Sequence, residues 1–412
     1  MNTTDFLETV RERGFVKQIA DEEGLVRALT RPLTLYCGYD PTADSLTAGH
    51  LLSVILLRHA QQAGHRPICV VGGGTGMIGD PTGKSASRPS LTIEAVRQNL
   101  VGQRTQLSRI LDFSEGQALI LNNADWLARF NLIEFLRDVG LHFTVAPMLS
   151  AETYETRLAS GLTFTEFSYM LLQAYDFLHL YRELGCVLQV GGSDQWANIL
   201  AGADLIRRVE RGSAYALVTP LLTTASGAKM GKSAAGAIWL DPARTSPYDF
   251  YQYWVNTEDG DVARFLALFT FLPMDEVRRL GALEGAELRE AKRVLALEVT
   301  SLVHGIEAAE AAQRTASALF GGAADLVDGA PTYTVSAEDL ALGPTVIDLL
   351  VRSTLCASRS EARRLIEQGG VTMGEARMAA DMPVPQAVIA RGEVLLRAGK
   401  KRYYRIVFAT GG

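Results

Sequence analysis

A strand–helix–strand pattern between residues 33 and 73 constrains the fold most strongly. Leu33–Tyr39 (LTLYCGY) and Pro67–Gly73 (PICVVGG) are apolar runs with the length of buried strands. Between them, His50–Gly64 (HLLSVILLRHAQQAG) has the pattern of an apolar helix that ends at a glycine. A helix that joins two neighbouring strands is the usual crossover of a parallel sheet. The pattern therefore predicts a parallel sheet whose ligands bind at the carboxyl ends of its strands.

The alternation of strands and helices continues along the chain and predicts an α/β fold. The expected elements are a helix over Ile93–Leu111, a strand and turn over Ala118–Leu127, a helix over Thr165–Leu184, and a strand over Cys186–Trp196 that runs into a glycine turn and a helix. A mostly helical region is expected from Ser246 to about Phe320. A connector over Gly321–Gly343, which contains Gly, Ala, Asp and Pro, follows it.

Composition places the chain among ordinary globular proteins. Its 412 residues are 48% hydrophobic and 21% charged, which is enough for two or three domains. The four cysteines form no CxxC pair, so a disulfide framework or a zinc ribbon is not expected. The N-terminal residues show no secretory signal, and the longest apolar run, Leu51–Leu57, is far too short to span a membrane. We therefore expect a cytoplasmic protein.

Charge is distributed unevenly. The whole chain carries −6, but residues 344–412 hold eleven Lys and Arg against six Asp and Glu, which leaves −11 for the remainder. A basic C-terminal segment on an acidic body predicts a module that binds a polyanion.

Two phosphate-binding motifs fail on inspection. Gly74–Gly79 satisfies GxGxxG after a strand, but Asp80-Pro81-Thr82-Gly83 follows at once, which is turn chemistry and not the helix that a dinucleotide site needs. Gly83-Lys84-Ser85 and Gly231-Lys232-Ser233 resemble the end of a Walker A loop, but the first glycine of that motif would fall on Ile78 and Ser226.

Two other segments are more informative when they are considered together. Tyr36–His50 (YCGYDPTADSLTAGH) combines a strand, an acidic turn and a Gly-His pair at the start of a helix, whose free N–H groups can bind an anion. Lys229–Ser233 (KMGKS) places two lysines three residues apart in a Gly/Ser/Ala-rich loop. Alone, His50 is more typical of a helix cap, and the lysines are more typical of a solvated loop.

A helix face carries a third candidate site. Tyr169, Gln173 and Asp176 are spaced i, i+4 and i+7 and so share one face of the predicted helix. Their neighbours Met170–Leu172 and Phe177–Leu178 are apolar, which favours a polar pocket in a buried helix over a solvent-exposed stripe.

Together these segments carry a family resemblance. The two signatures, in this order and one domain apart, resemble those of class I aminoacyl-tRNA synthetases. YCGYDPTADS, VGGGTGMIGDPTGK, FTEFSYMLLQAYDF and QVGGSDQW closely resemble the bacterial-type tyrosyl-tRNA synthetase family, over essentially the whole chain. The resemblance implies activation of L-tyrosine with ATP and transfer of tyrosine to a tRNA. It also implies a homodimer and Mg²⁺ that arrives with ATP, without a permanently bound cofactor.

The resemblance implies roles for individual residues. Those expected to stabilise charge on the phosphates during activation are Thr42, His50, Lys84, Arg88, Lys229 and Lys232. Those expected to bind tyrosine are Tyr36 and Asp176 at the phenol, Asp80, Tyr169 and Gln173 at the ammonium group, and Gln189. Those expected around ATP and the adenylate are Cys37, Gly38, Asp40, Thr47, Gly49, Gly192, Asp194, Gln195 and Ser233.

One residue departs from the family pattern. The first signature usually reads His-x-Gly-His, whereas this chain has Thr47-Ala48-Gly49-His50. Thr47 can donate one hydrogen bond but carries no positive charge. The change leaves open a non-catalytic RNA-binding paralogue. A nicotinamide oxidoreductase, based on Gly74–Gly79, is opposed by Pro81, and tryptophan specificity is opposed by Tyr36 and Asp176.

The basic C-terminal segment completes the prediction. Cations and aromatic residues suit phosphates and unpaired bases, and the pattern resembles a small RNA-binding module shared with a ribosomal protein. The expected tRNA-binding residues are Arg359, Arg363, Arg364, Lys400, Lys401 and Arg402. We expect a Rossmann-like catalytic domain (1–225), a signature-loop and α-helical domain (226–325), a linker (326–343) and a small α+β RNA-binding domain (344–412).

Overall fold

The computed structural model divides the chain into two compact units. It describes residues 3, 5–82, 92–150, 154, 157–158, 161–227, 230–233, 236–320, 332–374, 376–399 and 402–409. The first unit comprises 1–231, 237–241 and 258–291, and the second comprises 232–236, 242–257 and 292–412.

The first unit is built on a six-stranded sheet with the order β1-β6-β5-β2-β3-β4. Its strands are β1 Gln18–Ala20, β2 Thr34–Tyr39, β3 Arg66–Val71, β4 Leu119–Asn122, β5 Cys186–Gly192 and β6 Tyr215–Thr219. All neighbours run parallel except β1, which pairs antiparallel with β6. The chain builds outward from β2 through β3 and β4, then returns to the other side of β2 with β5. The order therefore reverses between β2 and β5, where open α/β sheets bind their ligands.

Helices cover the sheet and continue beyond it. In chain order they are α1 Asp5–Glu12, α2 Glu22–Ala28, α3 Leu51–Gln62, α4 Thr75–Ile78, α5 Ile93–Ile110, α6 Ala124–Leu127, α7 Leu132–Asp138, α8 Val145–Leu149, α9 Phe164–Leu184, α10 Trp196–Glu210, α11 Pro247–Val255, α12 Val262–Phe269, α13 Met274–Gly281, α14 Leu288–His304, α15 Ile306–Phe320, α16 Ala337–Ala341, α17 Val346–Arg352, α18 Arg359–Glu367 and α19 Gln386–Ile389. A 3₁₀ turn over Ala48–His50 precedes α3. Two short strands, β7 Lys232–Ser233 and β8 Gly236–Ala237, follow β6.

The longest helix, α9, is delimited by strong local signals. Thr163 and Glu166 form a capping box at its start, and Gly185 ends it with φ +62°. The apolar residues Phe177 and Leu180 pack into the sheet core, so the polar residues on the same helix are buried with them. This is how Tyr169 and Asp176 come to lie inside the protein.

The second unit contains α11, most of α14, α15 and a C-terminal α+β sheet. The sheet has the order β11-β10-β12-β13-β9. Its strands are β9 Thr332–Val335, β10 Val371–Met373, β11 Ala376–Arg377, β12 Glu393–Ala398 and β13 Arg402–Phe408. Apolar residues of α17 and α18 form one core with this sheet.

The α/β class and the parallel sheet are confirmed, and one boundary needs correction. Thr332–Val335 lie in the predicted linker, 326–343, yet they form β9, which pairs in parallel with β13. The linker prediction was wrong for these residues because the partner strand lies some 70 residues further along the chain. The other domain boundaries remain predictions.

The GxGxxG glycines form the single turn α4, which ends at Gly79 with φ +85°. Among the described residues, no helix is long and apolar enough to cross a membrane.

Candidate active site

Two polar side chains lie buried at the point where the strand order reverses. Tyr36 of β2 and Gln189 of β5 are direct partners in the parallel register, and both are almost fully buried, with 1% and 2% exposure. The Tyr36 hydroxyl and Gln189 Oε1 have no hydrogen-bond partner among the described residues. Buried polar atoms without partners are costly in a folded protein and mark places where a ligand can supply the missing bonds.

Asp176 of α9 supplies a carboxylate to the same region. Asn123 Nδ2 donates to its Oδ2 (2.9 Å), and Trp126 Nε1 donates to its Oδ1 (2.7 Å). Burial raises the pKa of Asp176 to about 7, although both hydrogen bonds act to lower it. Burial raises the pKa of Tyr36 well above its ordinary value, and the negative charge of Asp176 raises it further. The two groups therefore interact electrostatically.

A hydrogen-bond chain connects this carboxylate to Asp40 at the end of β2. Asn123 Nδ2 also donates to Thr75 Oγ1 (3.0 Å), and the Thr75 hydroxyl donates to Asp40 Oδ1 (2.9 Å). The Tyr169 hydroxyl donates to Asp40 Oδ2 (3.1 Å). Burial, followed by the charges of Asp40, Asp80 and Asp176, raises the pKa of Tyr169 well above its ordinary value, so a neutral phenol lies within the influence of three carboxyl groups. Such a negative site suits an ammonium group.

Asp80 and Gln195 form a second polar cluster. Gln195 Nε2 donates to Asp80 Oδ2 (2.8 Å), and Asn198 Nδ2 donates to Gln195 Oε1 (3.1 Å). The Thr82 backbone N–H donates to Asp80 Oδ1 (2.9 Å), which holds the turn after α4. The structure therefore joins the predicted ammonium ligand Asp80 to the predicted adenylate ligand Gln195. Asp194 precedes Gln195 in a 3₁₀ turn at the end of β5, where a Cβ on Gly192 would lie 2.6 Å from Asp194 Oδ1.

The first signature places His50 at the surface, in contact with Thr47. The Thr47 backbone N–H donates to His50 Nδ1 (3.0 Å), and the Thr47 hydroxyl lies 3.0 Å from the same nitrogen. Since Nδ1 accepts a hydrogen bond, the neutral imidazole carries its proton on Nε2. The threonine that replaces the family histidine thus orients the histidine that remains.

Backbone contacts join the first signature to Gly231 of the second signature and to residues 238–239, which follow it. Thr47 forms an antiparallel bridge with Trp239, and the Ala48 N–H donates to the Ile238 carbonyl (2.8 Å). Gly231, with φ +81°, lies against Gly49, and a Cβ on Gly231 would be only 2.9 Å from the Gly49 nitrogen. Segments separated by some 180 residues therefore meet with backbone against backbone.

The remaining predicted residues at the strand ends are placed but make fewer contacts. Cys37 is a buried free thiol. Burial raises its pKa to about 11, so the thiol is neutral at physiological pH. Gly38 is exposed, with nothing within 4 Å of where a Cβ would stand. Thr42 is exposed, and its N–H donates to the Asp40 carbonyl (2.8 Å). Gln173 is half-buried on the pocket-facing helix.

The side chains of seven predicted site residues lie outside the part of the chain that the structure describes. Lys84, Arg88, Lys229, Lys400 and Lys401 lie outside the described residues. Lys232 and Ser233 have a described backbone in β7, but their side chains are outside the description. The roles predicted for all seven remain predictions.

The predicted tRNA-binding arginines lie in the C-terminal sheet domain, which consists of α16–α19 and β9–β13, and they fall into two groups. Arg359 pairs with Asp348 (2.6 Å), and Arg402 pairs with Glu361 (3.1 Å). Arg363 and Arg364 are exposed on α18. Arg359 and Arg402 are thus engaged in ion pairs within the domain, and the tRNA-binding role of all four arginines remains a prediction.

Sequence reasoning missed the residues that support Asp176. Asn123 and Trp126 follow β4, and Thr75 follows β3, so all three lie after strand ends. The rule that ligands bind beyond the carboxyl ends of parallel strands could have selected the polar run NNADW, Asn122–Trp126. Nothing local to that run, however, indicates its partner on α9.

The chain belongs to the class I tRNA synthetases. Residues 28–321 match the family described as tRNA synthetases class I (W and Y). Residues 323–406 match the domain described as Tyrosine--tRNA ligase SYY-like C-terminal domain. Membership confirms the predicted family and argues against the nicotinamide oxidoreductase.

Relatives point to the tyrosine branch of this family. The tyrosine--tRNA ligase of Clostridium botulinum (strain Hall) is 51% identical over 402 residues, 97% of this chain and 98% of the relative. That of Caldanaerobacter subterraneus is 51% identical over 403 residues, with the same coverage. A C-terminally truncated mitochondrial tyrosyl-tRNA synthetase from Aspergillus nidulans has a TM-score of 0.67 and 31% identity, and the match covers 74% of this chain and 92% of that one.

Proposed function

We propose that this protein is a tyrosine–tRNA ligase. It activates L-tyrosine with ATP to tyrosyl-adenylate and pyrophosphate, then transfers the tyrosyl group to the 3′ end of its cognate tRNA and releases AMP. The observation that carries the proposal is the buried Tyr36 hydroxyl without a partner, which lies in the field of the buried Asp176 carboxylate. A phenolic hydroxyl can donate to one of these groups and accept from the other.

Recognition of tyrosine follows from this pair. Phenylalanine in the same place would leave the Tyr36 hydroxyl without a partner, and the buried Asp176 carboxylate would keep only the hydrogen bonds from Asn123 and Trp126. A site built for a hydroxyl strongly rejects a ligand that lacks one, and tyrosyl-tRNA synthetases are themselves the known example of such rejection. At the other end of the substrate, Asp80, Tyr169 and Gln173 receive the ammonium group. Asp40 adds a second carboxylate, held by Tyr169 and Thr75.

Activation requires positioning and charge stabilisation, and no protein nucleophile. The tyrosine carboxylate attacks the ATP α-phosphorus, and the P–O bond to pyrophosphate breaks. His50, with its proton on Nε2, lies just before α3, and Thr42 lies in the turn after β2; both are exposed donors that can bond to phosphate oxygens. Lys84, Arg88, Lys229 and Lys232 supply positive charge for the departing pyrophosphate. Mg²⁺ arrives with ATP as part of the substrate.

The C-terminal sheet domain supplies the tRNA contact. Its exposed Arg363 and Arg364 lie on one helix, α18, whereas Arg359 and Arg402 form ion pairs with Asp348 and Glu361. Lys400, Lys401 and Arg402 lead into β13. Cations at these positions neutralise phosphates without reading the sequence. We place the reaction in the cytoplasm, where tRNA is charged.

A homodimer is supported by an uncovered apolar helix. α7 buries none of its residues, although it carries Leu132, Ile133 and Leu136. Exposed apolar residues continue beyond it at Leu141, Val145, Leu158 and Phe164. Their exposed fractions run from 45% to 76%, which is unusual for so many large apolar side chains within 33 residues of chain. A second copy of the same face would cover them.

The proposal is tested by tyrosine-dependent exchange of pyrophosphate into ATP, without tRNA. Exchange with tyrosine but with neither phenylalanine nor tryptophan is expected, and it would show that Thr47 is tolerated. Folded protein that binds tRNA but does not exchange would instead identify a non-catalytic RNA-binding paralogue. Exchange with tryptophan would overturn the assignment of Tyr36 and Asp176.

A further inference from the structure

Backbone hydrogen bonds join the described residues that lie on either side of Lys229, the first lysine of the second signature. The Met230 N–H donates to the Leu222 carbonyl (3.1 Å), and the Gly227 N–H donates to the Thr224 carbonyl (2.8 Å). The chain therefore turns at Thr224–Gly227, and Leu222 before the turn is hydrogen-bonded to Met230 after it. Lys229 lies in the sequence between this turn and Gly231, which packs on Gly49.

Side chains from a separate segment hold the turn in place. Glu258 accepts two hydrogen bonds from Ser226, one from the backbone N–H (2.9 Å) and one from the hydroxyl (2.6 Å). Asp261 Oδ2 accepts from the Ala225 N–H (2.8 Å). Arg264 donates to the Thr223 carbonyl and pairs with Asp261 Oδ1 (2.6 Å). Residues 223–226 are thus bound by one short stretch, 258–264, at the start of α12.

The chemistry of these contacts makes them directional. Hydrogen bonds between a charged side chain and a backbone N–H are stronger than neutral ones, and they fix the orientation of the peptide plane. Asp261 is buried and anchored by Arg264, whereas Glu258 is exposed. The hydroxyl of Ser226 lowers the pKa of Glu258, so this carboxylate is ionised and a full acceptor at neutral pH.

We propose that Glu258 and Asp261 are positioning residues for ATP activation. They fix residues 223–226, the described stretch that precedes Lys229 in the sequence, while Gly231, which follows Lys229, packs on Gly49 of the first signature. They touch neither ATP nor tyrosine and act only through that segment. The inference rests on the proposed function, because it needs Lys229 to stabilise the departing pyrophosphate.

The test compares Glu258→Gln with the parent in the full chain, because Glu258 is exposed and its replacement leaves the core intact. Glu276→Gln is the matched control, since Glu276 is also a carboxylate of this unit but bonds only to Arg279 on its own helix, α13, among the described residues. We expect Glu258→Gln to lower kcat for pyrophosphate exchange at least about tenfold, with the KM for tyrosine and the melting temperature unchanged. Transfer of tyrosine from preformed adenylate to tRNA should stay at the parental rate.

A double variant separates this inference from the proposed function. If Glu258 acts through the lysine, Lys229→Ala/Glu258→Gln should be no slower than Lys229→Ala alone. Additive losses, or a Glu258→Gln variant as active as Glu276→Gln, would overturn the inference and leave the ligase assignment intact. Parental exchange in Lys229→Ala would overturn both the role of that lysine and the inference. No tyrosine-dependent exchange in the parent would mean that the proposed function itself had failed.

Discussion

At the scale of single residues, the proposed specificity for tyrosine depends on the buried hydroxyl of Tyr36, which has no hydrogen-bond partner among the described residues. It is buried beside Asp176, and its ring lies 5.3 Å from that of Phe177, so the position is held by packing even when the hydroxyl is removed. We expect Tyr36→Phe to fold normally and to lose about two- to tenfold of the kcat/KM preference for tyrosine over phenylalanine, the value of one hydrogen bond. Exchange assays with both amino acids measure this ratio.

A control distinguishes loss of the hydroxyl from a general effect of removing a buried phenol. Tyr251→Phe changes another fully buried tyrosine, on α11, and should leave the ratio unchanged. If Tyr36→Phe discriminated against phenylalanine as well as the parent does, the assignment of Tyr36 to the substrate phenol would be wrong.

The raised pKa of Asp176 leads to a prediction of how tyrosine binding depends on pH. Burial raises its pKa from 3.8 to about 7, so the folded protein holds a proton that the unfolded chain releases within this window. Ionisation of Asp176 therefore costs stability as pH rises through the window. In the proposed site the substrate phenol donates to the ionised form, so tyrosine affinity should increase as pH rises toward 7, by up to about tenfold per pH unit, and then level off.

Calorimetric titration of the free enzyme with tyrosine measures this profile. Asp176→Asn should bind tyrosine more weakly and lose the pH dependence in this window. Asp40 also faces the pocket and shifts the pKa of Asp176 upward, so Asp40→Asn should move the midpoint down without removing the transition. A parental profile retained in Asp176→Asn would assign the titration to another group.

At the scale of elements, the contact between the two signatures depends on a glycine. Gly231 adopts φ +81°, and a Cβ there would meet the Gly49 nitrogen at 2.9 Å. Gly231→Ala should therefore separate the signature segments and lower kcat for pyrophosphate exchange by more than about tenfold. Steady-state exchange rates over a range of ATP concentrations measure this loss.

Gly305→Ala is the matched control for backbone strain. Gly305, between α14 and α15, has φ +89° but nothing within 4 Å of the added carbon, so this variant introduces similar strain without the collision. Both variants should lose stability by roughly 1–2 kcal/mol, which thermal unfolding measures. Equal loss of exchange in the two variants would show that strain, and not the approach to Gly49, is responsible.

α9 shows how much of an element the sequence can determine. The prediction of Thr165–Leu184 agrees with the observed Phe164–Leu184 to one residue, because a capping box and a glycine delimit the helix locally. The shared face of Tyr169 and Asp176 also follows from helical periodicity. What the helix pattern does not contain is the identity of the groups that meet Asp176.

At the scale of the whole molecule, the uncovered helix α7 predicts assembly. Ile133→Asp on α7 should convert a dimer into monomers without lowering the melting temperature of the subunit, because α7 buries none of its residues within the chain. Sedimentation equilibrium over a range of concentrations measures the change. Glu134→Asp, on the same helix, is the control and should leave the dimer intact. A parent that is monomeric at all concentrations would contradict the proposal.

The C-terminal sheet domain predicts a separation of the two half-reactions. Arg363→Ala/Arg364→Ala should reduce aminoacylation of tRNA through a raised KM for tRNA and a shallower salt dependence, while pyrophosphate exchange stays at the parental rate. Arg352→Ala is the control, because this basic residue of the same domain pairs with Asp339. Equal effects of the two changes on tRNA binding would argue against a specific role for α18.

The sequence by itself determined the features that depend on neighbouring residues. Strand and helix patterns predicted the parallel sheet, and motif spacing predicted the family, because both are written in short stretches of chain. It also predicted Tyr36 and Asp176 at the phenol, by resemblance; those roles remain predictions, but the structure buries both groups and brings Tyr36 within the electrostatic influence of Asp176.

Only the tertiary structure decided which distant residues meet. Asn123 and Trp126 bond to Asp176 across some 50 residues, β9 joins β13 across some 70, and Glu258 holds Ser226 across 32. The free energy of each contact arises when separate segments pack together, so no local pattern encodes the partner. The hydrogen bonds to Asp176, the inclusion of β9 in the C-terminal sheet and the contacts of Glu258 and Asp261 with residues 225–226 therefore became visible only in the folded chain.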